Sequence, residues 1–256
     1  LLSGILSGQS FETVLTGDPS LSTRPMRRVT DFLKQMGAHI EGRDNANFAP
    51  LTIRGGKLKA IDARLPVASA QVKSAILLAG LYADGKTSVT EPLKSRDHTE
   101  LFLQYFGGAI RQKGLTVSLE GAQRLIGRSF PIAGDISSAA FFMVMAALLE
   151  GAEIDFQSVL WNPTRTGIVD VLKRAGVMIQ DEKIRQAGPE PIADFKISHA
   201  KPHAFEIHKS ELPFLIDEIP ILCVLATQAE GISLIHDADE LRVKETDRIE
   251  SMVTNL

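Results

Sequence analysis

Four stretches of the chain put cations and hydroxyls where helices would begin: Gly17-Asp18-Pro19-Ser20-Leu21-Ser22-Thr23-Arg24-Pro25-Met26, Ser69-Ala70-Gln71-Val72-Lys73, Ser95-Arg96-Asp97-His98-Thr99-Glu100 and Arg242-Val243-Lys244-Glu245-Thr246-Asp247-Arg248. The free N–H groups and partial positive charge of a helix start favour phosphate and carboxylate; Arg adds a two-pronged donor and Lys a point charge. The chemistry this suits is the handling of small anions. Each stretch also has a purely structural reading. Asp97 followed by Glu100 has the spacing of a capping box, with His98 a partner in it. Pro25 would occupy the first position of a helix, with Arg24 on the surface before it. Ser69 and Gln71 would be a cap and a first-turn residue, and Lys244 to Arg248 a solvated helix face with an i,i+4 arrangement.

Asp217 is different, because it lies between Leu212-Pro213-Phe214-Leu215-Ile216 and Ile219-Pro220-Ile221-Leu222 and should be partly buried. It is either an N-cap or a carboxylate whose pKa is raised by desolvation and pulled back by a nearby cation, opposed effects common at acid-base sites. Cys223, in the same apolar run, reads as core packing rather than as a nucleophile. Asn162-Pro163-Thr164-Arg165-Thr166-Gly167 reads as a cap, a Pro and a first turn, with no chemical role for Arg165.

The elements that would position these groups recur along the chain. A helix running into a glycine appears at Phe32 to Gly37, Phe102 to Gly107 and Val171 to Gly176, about 70 residues apart, with Ile40, Ile110 and Ile179 three residues after each glycine. The pattern predicts a helix stopped by a C-cap glycine and followed by a strand. A second, more apolar helix alternates with it: Leu1 to Leu6, Ala75 to Ala83, Ala139 to Leu149 and Ile219 to Ala229. These run into Gly8, Gly85, Gly151 and Gly231, and the last three are followed by strand-like segments. Helices apolar almost all round should be buried, while the charged ones keep a face in water. The result is an α+β architecture of parallel helices covered by sheets, one unit of two helices and several strands repeated about three and a half times. Arg124 to Gly134 is the expected crossing between two globular parts.

Composition narrows the class. With 256 residues, 44% hydrophobic and 23% charged, a sizeable core is expected. A formal charge of −3 with two Tyr and one Trp offers neither a basic footprint nor stacking platforms for nucleic acid. The longest apolar run, Ala139 to Leu149, is about half the roughly 20 residues a bilayer crossing needs. A single cysteine excludes a disulfide framework and any multi-cysteine metal site, making the cytoplasm the expected location. No cofactor and no metal are expected. The chain opens on Leu1 without an initiator Met or a signal-peptide pattern, and both ends look cut.

Taken together and in order, these segments resemble the enolpyruvyl transferase family, on the branch that acts on 3-phosphoshikimate. Gly17 to Met26 resembles the motif G-D-x-S-L-x-x-R-P-M, and Arg242 to Arg248 matches R-V-K-E-T-D-R at every position. Ser95 to Glu100, Gly134 to Ala139 and Asp217 to Pro220 resemble further landmarks, and the likeness covers nearly the whole chain. The family fold implied is two similar globular halves, each of three β-α-β-α-β-β units. Residues 1–131 would belong to the first half and 132–256 to the second, both incomplete here. The resemblance further implies a Lys-Ser pair and a Gly- and Thr-rich loop before Leu1, and an Arg and a Lys after Leu256.

Carried onto this chain, the resemblance makes Arg24 and Arg248 anchors for phosphoenolpyruvate, with Gln71 between the two substrates. Ser69, Gln71, Ser95, Arg96, Asp217 and Lys244 would hold 3-phosphoshikimate. Asp217 and Glu245, with Lys244, would be catalytic. Ala70 stands where some members have a second Ser and Glu240 where some have Asn, which implies the form of the enzyme in which Arg96 compensates. The partners implied are the two small molecules, with the protein a monomer. The related enzyme that transfers the same group to a UDP-linked aminosugar uses a catalytic Cys in a mobile loop, which Cys223 does not match. A non-catalytic anion-binding module is the alternative of another class. On its own the chain is expected to be inactive and only marginally stable.

Overall fold

The computed structural model describes residues 1–256. The chain divides into two compact units, Leu1–Arg128 and Ser129–Leu256, and the division falls inside the stretch Arg124 to Gly134. Each unit has its own apolar core. No helix is long and apolar enough to cross a membrane.

The first unit opens with α1 (Leu2–Ser7), β1 (Glu12–Leu15), the single turn α2 (Pro19–Ser22), α3 (Arg27–Gln35), β2 (His39–Gly42), the turn α4 (Arg43–Ala46) and β3 (Phe48–Arg54). It continues with β4 (Leu58–Lys59), β5 (Asp62–Arg64), α5 (Ala70–Gly80), β6 (Ala83–Asp84), β7 (Lys86–Thr90), α6 (His98–Tyr105), β8 (Ile110–Lys113) and β9 (Thr116–Glu120). From β4 onward this is one β-α-β-α-β-β unit. Its sheet has the order β5-β7-β9-β8, with β5 parallel to β7 and the other neighbours antiparallel. The preceding elements repeat its later part, and their antiparallel sheet β1-β3-β2 has the order of β7-β9-β8.

The second unit runs α7 (Ile136–Leu148), β10 (Glu153–Leu160), α8 (Gly167–Arg174), β11 (Ile179–Ala187) and β12 (Glu190–Ser198), with the sheet order β10-β12-β11. Its first strand is reduced to a single parallel bridge between Gly134 and Val159, at the place where β5 pairs with β7. A further copy begins with β13 (Glu206–Ile207), the turn α9 (Leu212–Leu215), α10 (Ile219–Thr227) and β14 (Leu234–Ile235) parallel to β13. A 3₁₀ turn at Asp239–Val243 and α11 (Arg248–Asn255) follow. The repeated α+β unit expected from the glycine spacing is present.

The corners work as the spacing predicts. Gly37, Gly107 and Gly176 have φ of 104°, 83° and 86°, a region open to glycine without Cβ strain. At each, the glycine N–H bonds three residues back, and the next N–H bonds five back (Ala38 to Leu33, Gly108 to Leu103, Val177 to Leu172). That pairing is the Schellman motif, which satisfies the last carbonyls of the helix and turns the chain into a strand.

The apolar helices are less uniform than expected. α5 is buried on nearly every side, and it lies so close to α1 that a Cβ on Gly4 would sit 2.1 Å from the Ala75 carbonyl oxygen. α7 buries Ile136, Ala140, Met143, Val144 and Ala147 against β10, β12 and α10 but leaves Phe141 and Phe142 more than half exposed. All-round burial does not hold for α7, because within its unit only one side of the helix has neighbours to pack on.

Candidate active site

In the first unit, two of the expected segments and the chain leaving β7 converge on one buried ammonium. Ser69 caps α5 by accepting from the Val72 N–H at 3.4 Å, and Gln71 stands exposed in the first turn. Two residues further, Lys73 turns inward and is 1% exposed. Its Nζ lies 2.8 Å from Glu91 Oε2, just beyond β7, and 2.7 Å from Glu100 Oε1 in the first turn of α6. Glu91 Oε1 accepts the hydroxyl proton of Ser95. Thr99 Oγ1 donates to Ser74 Oγ at 2.7 Å, a second tie between α6 and α5.

This arrangement replaces the capping box. Asp97 stands at the N-cap of α6 but makes no side-chain cap bond and pairs instead with Lys94 at 3.1 Å. Glu100, the expected box partner, is 3% exposed and faces Lys73. Desolvation raises its carboxyl pKa, against the pull of Lys73. Ser95 is also buried, at 4%, so of the pair Ser95 and Arg96 it is Arg96 that is partly open to solvent. Arg24 is exposed in the turn after α2; α3 begins only at Arg27, so Pro25 precedes the helix rather than opening it.

In the second unit the two expected catalytic carboxylates are joined by one guanidinium. Arg248 donates from Nε to Glu245 Oε1 at 2.7 Å and from Nη2 to Glu245 Oε2 at 3.0 Å, a two-pronged pair. Its Nη1 donates to Asp217 Oδ1 at 3.1 Å and to the Ile216 carbonyl at 3.2 Å. Hydrogen bonding to Glu245 is the main cause of the raised Arg248 pKa. Residues 244 to 247 are the approach to α11 and not a helix face: Asp247 caps it by accepting from the Glu250 N–H at 3.0 Å and pairs with Arg242 at 2.9 Å. Lys244 is half-buried and extended between the 3₁₀ turn and that cap.

Next to Asp217 lies a buried cluster that sequence reasoning missed. Asp217 directly precedes Glu218, which is 1% exposed and accepts the hydroxyl proton of Ser137 at the start of α7. Arg165 is 8% exposed and donates to Ser137 Oγ at 2.5 Å and to Asp135 Oδ1 at 3.2 Å. Asn162 does not begin a helix; its Oδ1 accepts from the Thr164 N–H at 2.8 Å in a local turn, and α8 starts at Gly167. A buried Arg is the signal that would have singled out Arg165, but burial is not written in its local sequence. Cys223 packs against the core from α10, and burial raises its thiol pKa.

The fold also assembles Glu206, His208 and His236, whose ligand-capable atoms lie within 4.8 Å of one another. Sequence spacing hides this trio, because it depends on β13 pairing with β14. The two imidazoles are stacked, 5.3 Å apart and 13° from parallel. Nitrogen lone pairs in near-parallel planes do not converge on one point, so the trio is not arranged as a metal centre.

The repeat and its sheets belong to the enolpyruvyl transferase type of α+β fold. Over 92% of this chain it superposes on the enolpyruvyl transferase NikO from Streptomyces tendae, covering 55% of that chain with a TM-score of 0.66 at 16% identity, a likeness of fold alone. It is closer to EPSP synthase from Acinetobacter baumannii, with a TM-score of 0.86 and 48% identity over 100% of this chain and 58% of that one. The family model for EPSP synthase (3-phosphoshikimate 1-carboxyvinyltransferase) matches residues 1–256. A 3-phosphoshikimate 1-carboxyvinyltransferase of Geobacillus thermodenitrificans is 56% identical over 256 residues, and one of Bacillus licheniformis 51%. The chain belongs to the EPSP synthase family. It spans 59% and 60% of the lengths of those two relatives.

Proposed function

We propose that the protein containing this chain transfers the enolpyruvyl group of phosphoenolpyruvate to the 5-hydroxyl of 3-phosphoshikimate and releases phosphate. The observation that carries the reading is the Asp217–Arg248–Glu245 cluster, formed within the segments that match the family. The substrate hydroxyl must lose a proton as it adds to the enol carbon, and the methylene carbon must gain one. The resulting tetrahedral adduct expels phosphate as a proton leaves the new methyl group. Asp217 serves the hydroxyl proton, and Glu245 with Lys244 serves the carbon proton. Arg24 and Arg248 offset the charge of phosphoenolpyruvate, Gln71 lies between the substrates, and Ser69, Ser95, Arg96 and Lys244 take 3-phosphoshikimate. For Ser95 the fit is indirect, since its hydroxyl proton goes to Glu91.

We read residues 1–131 and 132–256 as parts of the family's first and second globular halves, and the protein as a cytoplasmic monomer. The test is phosphate release from phosphoenolpyruvate plus 3-phosphoshikimate, by the full-length protein and by the 256-residue chain side by side. Turnover by the full-length protein and background release by the chain are expected. A folded full-length protein without turnover would overturn the reading.

A further inference from the structure

The function just proposed leaves the most deeply buried charged group of the first unit without a part. Lys73 is the one charged residue of α5, at the end of the helix that carries Ser69 and Gln71. We infer that Lys73, acting through Glu91 and Glu100, is a positioning residue that sets the 3-phosphoshikimate segments in register with one another. This rests on the reading of Ser69, Gln71 and Arg96 as contacts for that substrate.

Three elements meet at the ammonium: the start of α5, the chain leaving β7 at Glu91, and the first turn of α6. Glu91 spans both sides of the junction, taking Lys73 on Oε2 at 2.8 Å and the Ser95 hydroxyl on Oε1. The loop Ser95 to Asp97 is thereby anchored at its buried end while Arg96 remains partly open. Stability alone is a poor reason for such a cluster. Two carboxylates and one ammonium taken from water carry a desolvation cost that a well-packed apolar set avoids. Glu100 shows it, its carboxyl pushed up by burial even with the Lys73 ammonium 2.7 Å away. What the ion cluster supplies, and an apolar contact would not, is a directional tie that fixes how far and at what angle the three backbones stand apart. An anion gripped by Gln71 from one segment and Arg96 from another needs that spacing held.

The experiment uses the full-length protein with Lys73→Met, which keeps the stem and removes the charge, and with Lys73→Met/Glu91→Gln/Glu100→Gln, which leaves no buried charge unpaired. In both, the KM for 3-phosphoshikimate is expected to rise about tenfold or more, with the KM for phosphoenolpyruvate and kcat changed much less. Amide hydrogen exchange of residues 69–72 and 95–99 should accelerate relative to the rest of the first unit, a readout independent of substrate. If the single variant does not fold, the triple variant decides. A folded triple variant with wild-type KM and wild-type exchange in those segments would overturn the inference, as would loss of stability with neither readout moved. A folded wild type without turnover would remove the proposed function and with it the substrate-positioning role, whereas a wild type with turnover and variants with unmoved readouts would remove the positioning role alone.

Discussion

Arg248 brings two carboxylates to one place by taking both oxygens of Glu245 on one edge of its guanidinium and Asp217 on another nitrogen. Like charges that close would otherwise repel, so the guanidinium is what allows them to share a site. If they move protons, Asp217→Ala and Glu245→Gln should each lower kcat by about 10² to 10⁴ in the full-length protein while changing KM little. Steady-state kinetics checks this, and wild-type turnover would remove the substituted residue from the mechanism. Glu100 makes a different expectation. Its folded pKa stands above the ordinary 4.5, so the folded state holds more protons than the unfolded one. Its contribution is therefore favourable at low pH and is lost as pH rises from the ordinary carboxylate range through the raised folded value. Urea midpoints taken from about pH 4 to pH 7 should show that decline in the wild type relative to Glu100→Gln. Parallel curves would place the titration elsewhere.

At the scale of elements, the three Schellman glycines share a backbone conformation but not a neighbourhood. A Cβ on Gly37 would find only the Lys57 carbonyl oxygen at 3.7 Å and one on Gly107 only Ile126 at 3.7 Å, whereas on Gly176 it would meet the His203 ring at 2.8 Å. Gly37→Ala and Gly107→Ala should each cost about 1 to 2 kcal/mol from the left-handed backbone alone, and Gly176→Ala more. Denaturant titration of the three variants tests the order. These corners were legible because only glycine takes that φ readily, so local sequence declares them. The capping box at Asp97 and Glu100 was misread for the opposite reason. Its outcome was decided by Lys73, an ion partner on another helix that no local spacing reveals. The strand before α7 was equally hidden, since a single bridge at Gly134 leaves no alternation to read. The segment Arg242 to Arg248 stood out as charge and motif, yet its helix begins at Arg248 because Asp247 spends its side chain on the cap.

At the scale of the whole chain, every sheet closes within one copy of the repeat: β1-β3-β2, β4-β6, β5-β7-β9-β8, β10-β12-β11 and β13-β14. No backbone ladder runs from one copy to the next; neighbouring copies are joined by side-chain packing, by single backbone bonds such as Lys59 N–H to the Met36 carbonyl and His203 N–H to the Ala175 carbonyl, and by the Ser137 to Glu218 hydrogen bond. The pairings inside a copy are not local, joining for example Glu12 to Arg54 and Glu153 to Ser198, yet each sheet is complete within its copy and can open as a separate foldon. Cooperativity is therefore not guaranteed by hydrogen bonding. Native-state hydrogen exchange should resolve sub-global openings with boundaries at the repeat junctions, and a single opening energy for all strands would show that the contacts between copies couple them fully. β13 and β14 form a two-residue parallel pair, as do β4 and β6, whereas β5, β7, β9 and β8 form a four-stranded sheet. The ladder on either side of Asp217 in sequence is therefore one of the two shortest in the chain, and the amides of residues 206–207 and 234–236 should lose protection before those of the four-stranded sheet.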